Sequence, residues 1–182
     1  MVVSTVSKCD RCALCGRRRR IVNGEGPSNA TIAFIGEAPG ALEDESGRPF
    51  VGRSGKFLDS VLERKGIRRA EVFVTNVVRC RPPLNRKPRD DEIRSCLPNL
   101  ASELKKIRPK VVVALGAVAV AALTGSKGKL KEIIGKATRV DFEGADLLII
   151  PCYHPSAAMR NRKMRVGFEK AVAKAISISR AR

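Results

Sequence analysis

The sequence predicts an α/β protein built on a parallel sheet with helices on both faces. Three observations predict it. Four short apolar, β-rich runs punctuate the chain, and none alternates cleanly between apolar and polar residues, as suits strands buried on both faces. Helical periodicity fills the intervals between them, which is the pattern of strand-helix-strand units. The length of 182 residues, with ordinary apolar content, fits one domain spanning 1–182 with a sizeable core.

The elements follow in chain order. "ATIAFIGE" (30–37) is the first strand. "SGKFLDSVLERKG" (54–66) is a helix with Ser54 as cap and Phe57, Leu58, Val61 and Leu62 on one stripe. "EVFVTNVV" (71–78) is the second strand. "DDEIRSCLPNLASELKKI" (90–107) opens with acids that suit a helix N-terminus, and Pro98 is expected to break or bend it. "KVVVALG" (110–116) is the third strand, and "GAVAVAALTG" (116–125) a short helix of small residues. "DLLIIPC" (146–152) is the fourth strand. "VGFEKAVAKAISIS" (166–179) closes the fold, with Phe168, Val172, Ala175 and Ile176 at helical spacing. No internal repeat or low-complexity linker is visible.

Charge narrows the function. Lys and Arg total 36 against 18 acids, for a net charge of +18 and a pI near 10.4. That balance points to a polyanionic partner, nucleic acid first. No apolar stretch reaches membrane-spanning length, because Gly116 interrupts the longest, "VVVALGAVAVAAL". The N-terminus "MVVSTVSKCD" lacks the basic start and long apolar run of a leader, so a cytoplasmic protein is expected. Six Cys in a reducing compartment read as metal ligands or core residues rather than disulfides. Trp and Gln are absent while Lys, Arg and Glu abound, which hints at a hot environment.

Each strand runs into a special sequence at its C-terminal end: "GEAPG", "TN", "LG" and "CYHPS". Ligands of open α/β sheets bind outside those ends, so Glu37, Asn76 and His154, the only histidine, are expected to converge on one pocket. Gly36 and Gly40 permit a tight turn that approaches a ligand closely. "GEAPG" is not a Walker loop, and Phe50 stands where "VGRSGKF" would need its first Walker glycine, so a nucleoside triphosphatase is not expected. Phe50, among glycines and cations in "GRPFVGRSGK", is a candidate base-stacking platform. "RCRPPLNRKPR" (79–89) reads as an extended basic loop for phosphate contact. Cys9 and Cys12 form C-x2-C, and Cys80 and Cys96 supply a second pair; such a site holds zinc or an iron–sulfur cluster. Cys15 extends the first pair to C-x2-C-x2-C, so spacing leaves open which four bind. Cys152 ends a buried strand and reads as a core thiol.

Taken together, "GEAPGALEDESGRPFVGRSGKFLD", "VTNVVRCRPPLNRKP" and "YHPSA" resemble the family-four, thermophilic iron–sulfur uracil-DNA glycosylases, from Cys9 to about Arg160. The resemblance implies a three-layer α/β/α sandwich around a central four-stranded parallel sheet, and a monofunctional DNA repair hydrolase that flips uracil out, cleaves its N-glycosidic bond and leaves an abasic site. It implies one structural [4Fe–4S] cluster on Cys9, Cys12, Cys80 and Cys96, with Cys15 outside the set. It assigns His154 to stabilising charge on uracil O2 and Glu37 to water or to the sugar cation. Gly36, Ala38, Glu43, Phe50 and Asn76 would form the uracil pocket, with Asn76 reading O4 and N3–H and Glu43 crowding a thymine methyl. His154 would be neutral, through repulsion from surrounding Arg and Lys. DNA contacts would come from Arg79, Arg81, Arg86, Ser156 and Arg160, with 157–163 as a minor-groove loop whose Met159 or Arg160 fills the vacated space. Partners would be uracil-containing DNA, single- or double-stranded, and a sliding clamp as a further candidate, for a nucleoid-associated prokaryotic monomer. Competing readings are a glycosylase of broader base choice, a non-catalytic iron–sulfur DNA-binding protein and a zinc-bound nucleic-acid module.

Overall fold

A computed structural model describes residues 6–126 and 128–181. Residues 1–5, part of the segment read as leaderless, lie outside the described residues. The sheet has five strands: β1 (Ile32–Gly36), β2 (Phe73–Asn76), β3 (Val111–Leu115), β4 (Thr138–Phe142) and β5 (Ala145–Cys152), in the order β2-β1-β3-β5-β4. The four strands read from the sequence are β1, β2, β3 and β5, and they are mutually parallel. The expected count of four is corrected by β4, which pairs antiparallel with β5 through a hairpin at Glu143 and Gly144. Only Phe142 of β4 is buried, so it lacks the apolar run that marks a central strand.

Helices α1 (Ala41–Ser46), α2 (Arg53–Arg64), α3 (Asp90–Ile107), α4 (Ala117–Thr124), α5 (Leu130–Ile133), α6 (Pro155–Arg160) and α7 (Arg162–Arg180) complete the chain. Alternate residues of each central strand point to opposite faces. Ala33, Ile35, Val112 and Ala114 pack with Leu100 and Leu104 of α3 and Val120 of α4. Ile32, Phe34, Val111 and Val113 pack with Leu58 and Leu62 of α2 and Phe168 and Val172 of α7. The result is a three-layer α/β/α sandwich. Cys152 is fully buried in the second of these layers, and burial pushes its thiol pKa up.

Three local expectations change. Helix α2 is capped by Gly52 rather than Ser54, and Ser54 lies inside the first turn. Helix α3 runs unbroken through Pro98. The segment expected as a loop over 157–163 is helical: α6 ends at Arg160, and Asn161 caps α7 by accepting a bond from Met164 N–H at 3.1 Å.

Arg79, expected at a DNA surface, is instead buried, with 2% exposure. Its guanidinium donates to Glu103 Oε2 at 2.5 Å, to the Asn76 carbonyl at 2.7 Å and to Thr75 Oγ1. Glu103, on α3, also accepts from Thr75 Oγ1 at 3.0 Å and from Gly24 N–H at 3.1 Å. Arg79 Nε is the one buried side-chain nitrogen without a partner among the described residues. Breaking a buried pair strands a charge in a medium that solvates it poorly. Arg79→Ala or Glu103→Ala should therefore lower unfolding free energy by about 3–5 kcal/mol in denaturant titrations. Arg139→Ala, which breaks the exposed pair with Asp146, should cost no more than about 1 kcal/mol.

Candidate active site

Because the four core strands are parallel, their C-terminal ends share one edge of the sheet. β1 has β2 on one side and β3 on the other, so the chain reverses its winding direction there. Such a point leaves a crevice for a ligand. A cavity of about 320 Å³ lies there, lined by Ala38, Leu42, Glu43, Phe50, Arg53, Asn76 and His154 among others. Of the expected site residues, Asn76 and His154 meet in it, with Ala38, Glu43 and Phe50. Glu37 is half-buried and is not part of that lining; burial raises its carboxyl pKa, with Lys87 opposing the shift.

Gly36 makes the meeting sterically feasible. A methyl group there would stand 2.5 Å from both Asn76 Oδ1 and the Phe50 ring. Phe50 itself adopts φ +56°, a region that non-glycine residues rarely occupy and that recurs at ligand sites. Gly55 accommodates that turn, since a Cβ there would lie 1.6 Å from the Phe50 carbonyl oxygen. The Phe50 ring centroid is 6.4 Å from that of His154. Asn76 is 3% exposed, and its carboxamide has no hydrogen-bond partner among the described residues. Its polar atoms open on the cavity, where a ligand can supply partners.

His154 caps α6, and Pro155 occupies the first helical position, where its fixed φ suits the turn. The imidazole Nδ1 accepts the Ser156 backbone N–H at 3.2 Å, and Ser156 Oγ lies 2.8 Å from the same nitrogen. An accepting Nδ1 places the proton of the neutral ring on Nε2. The ring is neutral because burial lowers its pKa to about 4. The expected cause, repulsion by nearby cations, gives way to desolvation. Ser156, expected to contact DNA, is engaged with the imidazole.

Glu43 has a role the sequence did not disclose. One carboxylate oxygen accepts from Gly52 N–H at 2.8 Å and the other from Gly40 N–H at 3.1 Å. It fastens the "GEAPG" turn to the start of α2, fixing two walls of the cavity. The N-terminal turn of α2 contributes Gly52, Arg53 and Ser54 to the lining, with Arg53 exposed. A helix start favours an anion, and Arg53 adds a full charge. The hint was "GRSG", where glycine and arginine precede a helical stripe.

Outside the cavity, Arg86 is committed to Glu92 by two bonds of 2.6 and 2.8 Å. Arg81 donates to Asn85 Oδ1 at 2.8 Å, while Arg160 is exposed. Cys9, Cys12, Cys15, Cys80 and Cys96 all line one cavity, with all five thiols unpaired. Cys12 lies within Coulombic range of Cys9 and Cys96, and Cys80 within range of Cys96 and Cys12. Burial raises the Cys80 pKa to about 11. Arg18 Nη1 donates toward Cys80 Sγ at 3.5 Å and Asn99 Nδ2 toward Cys96 Sγ at 3.8 Å. No three His, Cys, Asp or Glu side chains among the described residues are gathered as the donor set of a metal ion.

The single histidine allows a direct test. Its imidazole proton resonances should titrate by NMR near pH 4 rather than 6.5. With a folded pKa below the unfolded one, the unfolded chain binds the extra proton between those values. The His154 contribution to stability is therefore complete above pH 6.5 and should decline as pH falls toward 4.

Comparison with known proteins adds a second line of observation. Residues 23–176 match the model of the uracil DNA glycosylase superfamily. The chain is 41% identical to a type-4 uracil-DNA glycosylase of Pyrobaculum aerophilum, over 92% of this chain and 88% of that protein. It is 42% identical to one of Thermotoga maritima, over 89% and 83%, and 41% identical to one of Saccharolobus solfataricus, over 93% and 81%.

Proposed function

The chain belongs to the type-4 uracil-DNA glycosylases, enzymes that excise uracil from DNA, and we propose that His154, Asn76, Phe50 and Glu37 carry that reaction here. The observation that carries the reading is a neutral imidazole, its proton on Nε2, sharing one cavity with the carboxamide of Asn76.

The flipped base stacks on Phe50, and Asn76 donates to uracil O4 and accepts from N3–H. Cytosine offers the opposite polarity at both atoms and is rejected. As the N1–C1′ bond breaks, its electron pair leaves with uracil and spreads onto O2. The His154 Nε2–H donates to that oxygen as charge develops, which selects the transition state over the ground state. Water adds hydroxide to C1′, and its proton ends on the released base. Glu37, whose carboxyl pKa burial raises, supports the sugar cation or the incoming water. Glu43 holds the walls and stands where a thymine methyl would go. Arg53, Arg81 and Arg160 face the phosphates.

Cys9, Cys12, Cys80 and Cys96 would hold the family's [4Fe–4S] cluster. A cluster takes one thiolate at each of four irons, so it needs thiols around a shared space rather than converging on one point. The five thiols lining one cavity, with nitrogen donors aimed at two sulfurs, fit that need. Cys15, the fifth thiol of that cavity, would be left out of the set and free. The group would supply cross-linking of the N-terminal segment to α3, not electron transfer.

Purified protein should release uracil from an oligonucleotide in single-turnover assays, with strand cleavage only after alkali. His154→Ala should slow release by about 10²–10³-fold, the loss expected for one transition-state donor. No release by the wild type would refute the reading. Metal analysis should find iron and sulfide lost in Cys96→Ser but retained in Cys15→Ser, with a lowered melting temperature only in the former.

A further inference from the structure

One buried acid has no part in the reaction so far. Asp44 is 4% exposed, follows Glu43 in α1, and lies outside the cavity lining. The other buried acids, Glu92 and Glu103, each hold an arginine. Asp44 holds backbone instead. Its Oδ1 accepts from Arg19 N–H at 3.0 Å and from Arg20 N–H at 3.5 Å, while the Arg19 side chain turns to Glu45. An acid that served only the dipole of α1 would stay in water, so its burial needs another reason.

The reason lies in what α1 does and how little holds it. Its first three residues, Ala41, Leu42 and Glu43, form one wall of the cavity. The helix has only six residues, too few to be stable alone, and it runs between Gly40 and Gly47. Asp44 is its one buried residue, so no apolar side chain of α1 is sunk in the core. The segment that Asp44 grips is, by contrast, fixed at both ends. It leaves the cysteine turn, where Leu14 is buried and Arg18 Nη1 points to Cys80 Sγ. It then passes to Val22, whose N–H donates to the Arg79 carbonyl at 2.9 Å.

We propose that Asp44 is a positioning residue for uracil binding, which tethers the α1 wall of the cavity to the segment that follows the cysteine turn. This rests on the glycosylase reading and adds to it the means by which Glu43 and its neighbours are held in place to meet the base. A carboxylate that accepts backbone N–H groups makes strong, charge-assisted bonds, and it can do so where no cation is at hand. A wall fixed beforehand loses less freedom when the base enters. Order in the cysteine turn is thereby felt in the uracil cavity.

The single histidine supplies the readout. Free uracil is titrated into the protein as purified, and the His154 imidazole resonance is followed at a temperature where every variant is folded. Asp44→Leu, similar in size but without an acceptor, should weaken uracil binding by about tenfold, the scale of one charge-assisted hydrogen bond. Asp44→Asn keeps an acceptor oxygen and should bind within about threefold of wild type. Arg19→Pro deletes the donor from outside both helix and cavity and should match Asp44→Leu. Arg19→Ala keeps the N–H and should match the wild type. Wild-type affinity in Asp44→Leu, or in Arg19→Pro if Asp44→Leu does not fold, would overturn the tether. So would an equal loss in Asp44→Asn and Asp44→Leu, or a loss in Arg19→Ala, since neither follows from a backbone bond. A wild type that neither binds uracil nor releases it from DNA would remove the glycosylase reading itself.

Discussion

The buried pair of Arg79 and Glu103 is the constraint on which the substrate side of the molecule depends. Arg79 leaves β2 three residues after Asn76 and one before Cys80, while Glu103 lies on the helix that carries Cys96. One ion pair thus ties the base-reading strand, the thiol-lined cavity and the layer of α3 into one body. It also holds the Asn76 carbonyl and, through Glu103, the Gly24 amide. A buried ion pair is seldom the most stable way to fill a core. Its return here is geometric: the guanidinium meets Thr75, Asn76 and Glu103 together, and an apolar replacement would leave the Glu103 carboxylate a buried charge without a counter-ion.

Around that anchor, backbone and side chain divide the work. Gly36 and Gly55 remove the atoms that would keep Phe50 from Asn76, and Glu43 closes two backbone amides onto one carboxylate. The imidazole Nε2 and the carboxamide are left open to the cavity at their reactive ends. The neutrality of His154 in a chain of net charge +18 follows from its burial, which makes it a property of the cavity rather than of the surface charge. The basic surface can therefore attract a polyanion without dictating the proton state of the group inside.

Much of this was legible in the chain. Apolar runs without alternation marked β1, β2, β3 and β5, and the signatures at their ends placed Asn76 and His154 in one crevice. The rest was hidden for identifiable reasons. β4 is an edge strand of "TRVDF", half polar, and its pairing depends on a hairpin formed by non-local burial of Phe142. Arg79 and Arg86 look like surface charges in a basic run because their partners, Glu103 and Glu92, lie on a helix and are distant or unmarked in the sequence. Glu43 was legible as a pocket residue but not as a clamp, since its partners are amides of two glycines that carry no side-chain signal. Capping misled because a glycine replaced the serine two positions later.

The two margins of the sheet carry one further consequence. Along β2, Glu25 forms an antiparallel bridge with Val74, exchanging both backbone bonds at 2.8 and 2.9 Å. At the other margin, β4 sets Arg139 and Asp141 toward solvent. A bare strand margin is a template for accretion of further chains, and blocking it or lining it with charge is how native sheets resist that. This protein therefore carries its own guard against ordered self-association, so crowding on a DNA lattice, where local concentration is high, need not seed fibrils from the folded state.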